Sequence, residues 1–95
     1  PLVPMLSFKS FDEVIERANN NDLGLCSYIC TNSMEKAHRT SELMETGTVA
    51  VNTPLVAIAE APFGGIKQTG YGREGGSMAI KDYLNIKYTH LGIKG

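Results

Sequence analysis

Tryptophan is absent from this sequence, cysteine occurs twice, neither charge is in surplus, and no apolar run approaches the length of a membrane span. Each absence excludes something. Cys26 and Cys30 stand four apart, so they form no C-x-x-C redox pair, and His38 and His90 are the only histidines that could join them in a metal quartet. In a strand the two thiols share one face about 13 Å apart, too far for a disulfide. A reducing, cytoplasmic setting is therefore expected, with both thiols buried as small hydrophobes. Nine Lys and Arg against ten Asp and Glu leave a net charge of −1, which offers no basic field to nucleic acid or anionic lipid. Neither nucleic acid nor a membrane is expected as a partner, since a membrane span needs about 18 apolar residues. Pro1-Leu2-Val3-Pro4-Met5 has no initiator Met and no basic n-region, so further chain is expected upstream.

What is present suits one globular unit: 95 residues, 42% of them hydrophobic. By area scaling, a chain of this size exposes about 5,400 Å² folded against roughly 15,000 Å² unfolded, enough burial for one core. Leu2 to Phe8, with Pro1 and Pro4 at its start, is expected as a strand whose first residues sit at a sheet edge or enter from elsewhere. Ser10 and Glu13 make a capping box that opens a helix with Phe11, Val14, Ile15 and Ala18 on its apolar stripe. Gly24 is expected to turn the chain after that helix. Leu25 to Thr31 reads as a strand, and Asn32 or Ser33 as the cap of a second helix carrying Met34, Ala37, Ser41 and Met44 inward up to Gly47. Thr48 to Asn52 is a β-branched strand, and the alternation of strands and helices predicts an α/β fold with parallel pairing.

Periodicity then stops from Thr53 to Gly76, a stretch holding six of the ten glycines. Loops this long in compact domains are usually functional or disordered, and Leu55, Val56, Ile58, Phe63, Ile66 and Tyr71 are too apolar for disorder. A short helix opened by Gly76 or Ser77 and running through Tyr83 and Leu84, and a last alternating strand, Ile86 to Leu91, complete the pattern. Gly70-Tyr71-Gly72-Arg73-Glu74-Gly75 spells G-x-G-x-x-G, but it follows a loop and no acid closes a second strand about 20 residues on, so the glycines are read as permitting a tight loop. His38 lies on a charged helix face, His90 has no neighbouring acid or nucleophile, and no serine sits in a G-x-S-x-G elbow. Arg73 and Glu74 are expected to anchor the loop.

Val51-Asn52-Thr53, the run Pro62-Phe63-Gly64-Gly65-Ile66-Lys67-Gln68-Thr69-Gly70-Tyr71-Gly72-Arg73-Glu74-Gly75, and Asp82-Tyr83-Leu84 with Ile86-Lys87-Tyr88 together resemble the C-terminal end of the NAD(P)-dependent aldehyde dehydrogenase superfamily. Within it the chain looks most similar to succinate-semialdehyde dehydrogenase-like members. The resemblance implies that residues 1–76 belong to the C-terminal part of the catalytic domain and residues 77–95 to a terminal helix and oligomerisation strand, in a homo-oligomer. It also implies oxidation of an aldehyde to the acid with NAD or NADP, through a cysteine thiolate and a glutamate base. Neither Cys26 nor Cys30 sits in a G-Q-x-C segment and no E-L-G-G base motif is present, so no catalytic, cofactor-binding or metal residue is expected here, and the piece alone is expected to be inert.

By the same resemblance Thr53, Ala57 and Phe63 are substrate-binding: Thr53 to Phe63 would line the mouth of the aldehyde tunnel, with Phe63 as apolar wall. Ala57 stands where dicarboxylic semialdehyde members often place a hydroxyl, and Asn85 where many carry a glutamate able to pair with the arginine of G-R-E. Phe63, Tyr71 and the Ile86 to Leu91 edge are expected to be exposed in the piece alone, favouring self-association. The alternatives from other classes are a free-standing interaction module on the same scaffold and a small nucleotide-binding protein using Gly70 to Gly75.

Overall fold

The computed structural model describes residues 1–95. Ser10 caps helix α1 (Phe11–Asn19): its hydroxyl accepts the Glu13 amide at 3.2 Å. Glu13 reaches back one residue further than a simple capping box, taking the Lys9 amide at 2.8 Å. Arg17 bonds both Glu13 (3.1 Å) and the Ser7 carbonyl (2.9 Å), which ties the entering chain to the helix. The helix ends at Asn20 in a non-helical conformation, and Gly24 lies beyond it with no positive φ. Gly24 serves a different end, as a buried member of strand β1 (Leu23–Gly24).

Strand β2 (Cys26–Ile29), helix α2 (Met34–Leu43) and strand β3 (Thr48–Val51) form a β-α-β unit. Ser33, not Asn32, is the cap of α2 and accepts the Lys36 amide at 3.2 Å. β2 and β3 pair in parallel from Cys26 with Thr48 to Ile29 with Val51. The inward residues of α2 are Ala37 and Thr40, while Met34 and Ser41 face outward. Thr40 can be buried because its hydroxyl donates to the Lys36 carbonyl at 2.7 Å. On α1, Phe11, Val14 and Ile15 are half-buried and face an open groove against β2 and α2, while Ala18 stays exposed.

The stretch after β3 is more ordered than its lack of periodicity suggests. Strand β4 (Ile66–Lys67) pairs antiparallel with β1, Gly24 opposite Ile66, and Phe63 pairs with Glu74 through two 2.7 Å bonds. A 3₁₀ turn (Ala79–Tyr83) replaces the expected short helix. Two expected strands do not form. Leu2 to Phe8 and Ile86 to Leu91 carry no ladder, because a strand exists only as one of a pair and no partner for either lies within these residues.

The result is a mixed α/β unit whose burial falls short of the expectation from size. The exposed area is 8,360 Å², and Ala37 and Ala50 are the only buried apolar residues. The chain extends 76 Å along its longest axis with a radius of gyration of 19.3 Å, against about 12 Å for a compact domain of this length. The two thiols follow suit: Cys26 is half-buried and Cys30 exposed, both free, so their expected burial is not met. No helix is long and apolar enough to cross a membrane.

Candidate functional site

The segment singled out by the sequence leaves the sheet at Asn52, which has a left-handed backbone (φ 57°). Thr53 is exposed, and its hydroxyl accepts the Leu55 amide at 3.1 Å, a local turn that starts the excursion. Ala57 is exposed at its middle. The far end closes on the Gly-rich run: Gly76 donates to the Ala59 carbonyl at 2.8 Å, and Phe63 and Glu74 exchange both backbone bonds. Gly75 has φ 67°, and a Cβ there would stand 2.7 Å from the Ala61 carbonyl oxygen, so both conformation and space require glycine.

Arg73 anchors this closure as expected. Its Nη1 donates to the carbonyls of Gly65 and Gly72, each at 2.8 Å, and its backbone amide meets Asp82 at 3.4 Å. Glu74 contributes through its backbone. With Asn85 exposed, carbonyl oxygens take the guanidinium in place of a carboxylate.

A second anchor was not visible in the sequence. Lys67, the other non-glycine residue with positive φ (57°), sends its ammonium to the carbonyls of Asn19 (2.8 Å) and Asn21 (3.1 Å) and to Glu45 Oε2 (2.6 Å). Asn19 in turn donates to the Leu43 carbonyl (2.8 Å) and accepts the Glu45 amide (2.9 Å). The end of α1, the α2–β3 connection and the Gly-rich run thus meet at one cation. Helix-end carbonyls lack partners within the helix and favour a positive charge, which explains the choice of lysine. The run of three asparagines before Asp22 was the only trace of it in the sequence, and it reads equally as a helix stop.

The three expected substrate residues are not gathered into one cavity. Phe63 is half-buried, against the expectation of exposure, and lines an open cleft of about 300 Å³ with Leu25, Arg73, Asp82 and Tyr83. Thr53 and Ala57 lie outside that cleft, on the exposed excursion. Tyr71 is fully exposed, as expected. His38 is exposed, and His90 Nδ1 meets only the Tyr88 hydroxyl, at 3.1 Å. Tyr28, two residues from Cys26 on the same strand, has its phenol pushed up by hydrogen bonding to that thiol, then by desolvation and the thiol's charge. No three His, Cys, Asp or Glu side chains converge as metal ligands.

A dinucleotide does not fit the G-x-G-x-x-G run. Within the run the amides of Gly70, Arg73 and Glu74 are already engaged by Lys67, Asp82 and Phe63, and the turn that follows is a five-residue 3₁₀ segment rather than a helix whose N-terminus could receive a pyrophosphate.

A β-α-β unit joined by a long excursion to a Gly-rich run that Arg73 and Lys67 clamp defines the class: a mixed α/β scaffold. Residues 1–89 match the aldehyde dehydrogenase family, and the chain belongs to that family. It is 50% identical over 92 residues to the 3-sulfolactaldehyde dehydrogenase of Pseudomonas putida, covering 97% of this chain and 19% of that protein. It is 45% identical over 92 residues to the mitochondrial succinate-semialdehyde dehydrogenase of Arabidopsis thaliana, covering 97% of this chain and 17% of that protein. Among solved structures, the NAD+ complex of an aldehyde dehydrogenase from Bacillus cereus superposes with a TM-score of 0.85 at 43% identity, over 94% of this chain and 18% of that one. The chain therefore spans less than a fifth of the length of these relatives.

Proposed function

We propose that this chain forms the C-terminal portion of an enzyme that oxidises an aldehyde to its carboxylic acid, with NAD or NADP as oxidant bound outside these residues. Residues 1–76 belong to the catalytic domain and residues 77–95 to the surface used in homo-oligomer formation. The substrate is succinate semialdehyde or a related short semialdehyde, approached along Thr53, Ala57 and Phe63. The enzyme works in a reducing compartment, the cytoplasm, where Cys26 and Cys30 remain free thiols.

The observation that carries this reading is the family match over residues 1–89, which takes in the whole Pro62 to Gly75 motif. The closure of Phe63 on Glu74 supports it, because it holds one end of the excursion that would face substrate. Neither histidine serves a thiol as base: His38 is exposed on α2 and His90 Nδ1 meets the Tyr88 hydroxyl, which agrees with a nucleophile supplied from other parts of the enzyme.

The test is aldehyde-dependent reduction of NAD or NADP, measured on the polypeptide of the complete reading frame and on the 95 residues alone. Turnover by the former and none by the latter is expected. A complete reading frame without a cofactor domain would instead favour an interaction module on the same scaffold.

A further inference from the structure

The end of the β2–β3 ladder is built from a side chain. In this parallel register the amides of Thr48 and Asn52 donate to the carbonyls of Leu25 (3.1 Å) and Ile29 (2.8 Å). The next two rungs of such a ladder would run from the Thr31 amide to the Asn52 carbonyl, and from the amide of residue 54 to the Thr31 carbonyl. Neither is available. The left-handed backbone of Asn52 turns its carbonyl out of the ladder, and Pro54 has no amide hydrogen. The Asn52 carboxamide supplies both: Oδ1 accepts the Thr31 amide at 2.9 Å and Nδ2 donates to the Thr31 carbonyl at 2.8 Å. Asparagine is also among the few side-chain residues that tolerate this φ. Downstream, the next hydrogen bond to another segment is that of Gly76 to Ala59, so Thr53 to Ile58 hang between these two anchors.

We propose that Asn52 is a positioning residue: its carboxamide, paired both ways with Thr31, sets the direction in which the Thr53–Phe63 excursion leaves the sheet, and thereby the fit of the aldehyde. This rests on the aldehyde-oxidising reading above. Asn52 touches no reacting atom in this scheme. Its effect passes through the placement of Thr53 and Ala57.

The experiment uses the complete polypeptide and three variants. Asn52→Gly keeps the φ and removes both bonds, Asn52→Ala removes both and strains the backbone, and Asn52→Asp keeps the acceptor while facing the Thr31 carbonyl with a second oxygen. For Asn52→Gly the KM for the aldehyde is expected to rise about ten-fold with kcat changed less than about two-fold, the signature of misplaced binding rather than lost chemistry. Faster amide exchange at Thr31 and Leu55, measured in the same protein, is expected alongside. A fall in melting temperature with KM and exchange unchanged would overturn the proposal. If Asn52→Ala fails to fold, Asn52→Asp gives the same reading through its single lost donor. Should the parent oxidise no aldehyde, that reading fails separately. Exchange alone then decides, and unchanged protection of Thr31 and Leu55 in Asn52→Gly overturns the positioning role.

Discussion

Lys67 ties three segments of the chain together, because its ammonium meets two carbonyls at the end of α1 and the Glu45 carboxylate. The ion pair itself adds little, since Glu45 is half exposed and an exposed pair is worth about 0–1 kcal/mol. The bonds to carbonyls matter more, because a methionine of similar length would leave the Asn21 carbonyl without a protein donor and the Asn19 carbonyl with the Asn21 amide alone (2.8 Å). Lys67→Met should lower stability by about 2 kcal/mol, read as a shift in denaturant midpoint at unchanged slope. No shift would mean that water replaces the ammonium without cost. Glu13 offers a pH-dependent counterpart. The Lys9 amide above all, helped by Arg17 and the Ser10 amide and opposed by desolvation, holds its carboxyl below the ordinary glutamate value. A depressed folded value means that its contribution is complete above the unfolded pKa, about 4.3, and is lost as pH falls through the lower folded value. The stability difference between parent and Glu13→Gln should therefore be constant near neutrality and vanish in acid; a difference that grew as pH fell would contradict the assignment. At Ala57 the prediction concerns substrate. A serine there adds a donor for a distal carboxylate, so Ala57→Ser should raise kcat/KM for succinate semialdehyde about ten-fold relative to an uncharged aldehyde of equal length, if Ala57 lies on the substrate path.

At the scale of elements, the β-α-β unit was legible because its signals are local. Ser10 and Ser33 cap the helices they precede, and the β-branched run from Thr48 pairs as a strand. Leu2 to Phe8 and Ile86 to Leu91 have equally strand-like composition, but a ladder depends on a partner, which composition does not report. Lys67 and Asn52 were illegible for a related reason: their partners lie 46 to 48 and 21 residues away, and spacing along the chain carries no trace of such contacts. The same distance hides the role of Gly47. Its amide donates to the Gly24 carbonyl at 3.0 Å, and a Cβ on it would land on the Gly64 carbonyl oxygen, so β1, the α2–β3 connection and the Gly-rich run cross at a point with no room for a side chain. Gly47→Ala should cost at least about 2 kcal/mol in thermal or denaturant unfolding, because the obstructing atom is backbone and cannot rotate away. A variant as stable as the parent would show that the Gly-rich run can shift away from β3.

For the whole molecule, exposed area decides the physical behaviour. The chain exposes 8,360 Å² where about 5,400 Å² is usual for its size, and Leu2, Met5, Ile86, Tyr88 and Ile93 stand almost fully in solvent. Large apolar surface of this kind marks contact with other protein. The 95 residues alone should therefore self-associate, with an apparent mass that rises with concentration in light scattering; a strict monomer across a wide range would count against this. The central claim is that these residues serve an aldehyde oxidation whose nucleophile they do not contain, and one measurement tests it directly. The rate of aldehyde-dependent NAD or NADP reduction by the complete polypeptide should be substantial, and it should be indistinguishable from background for the 95 residues at equal molar concentration. Turnover by the 95 residues alone, or none by the complete polypeptide with any short aldehyde, would contradict the account.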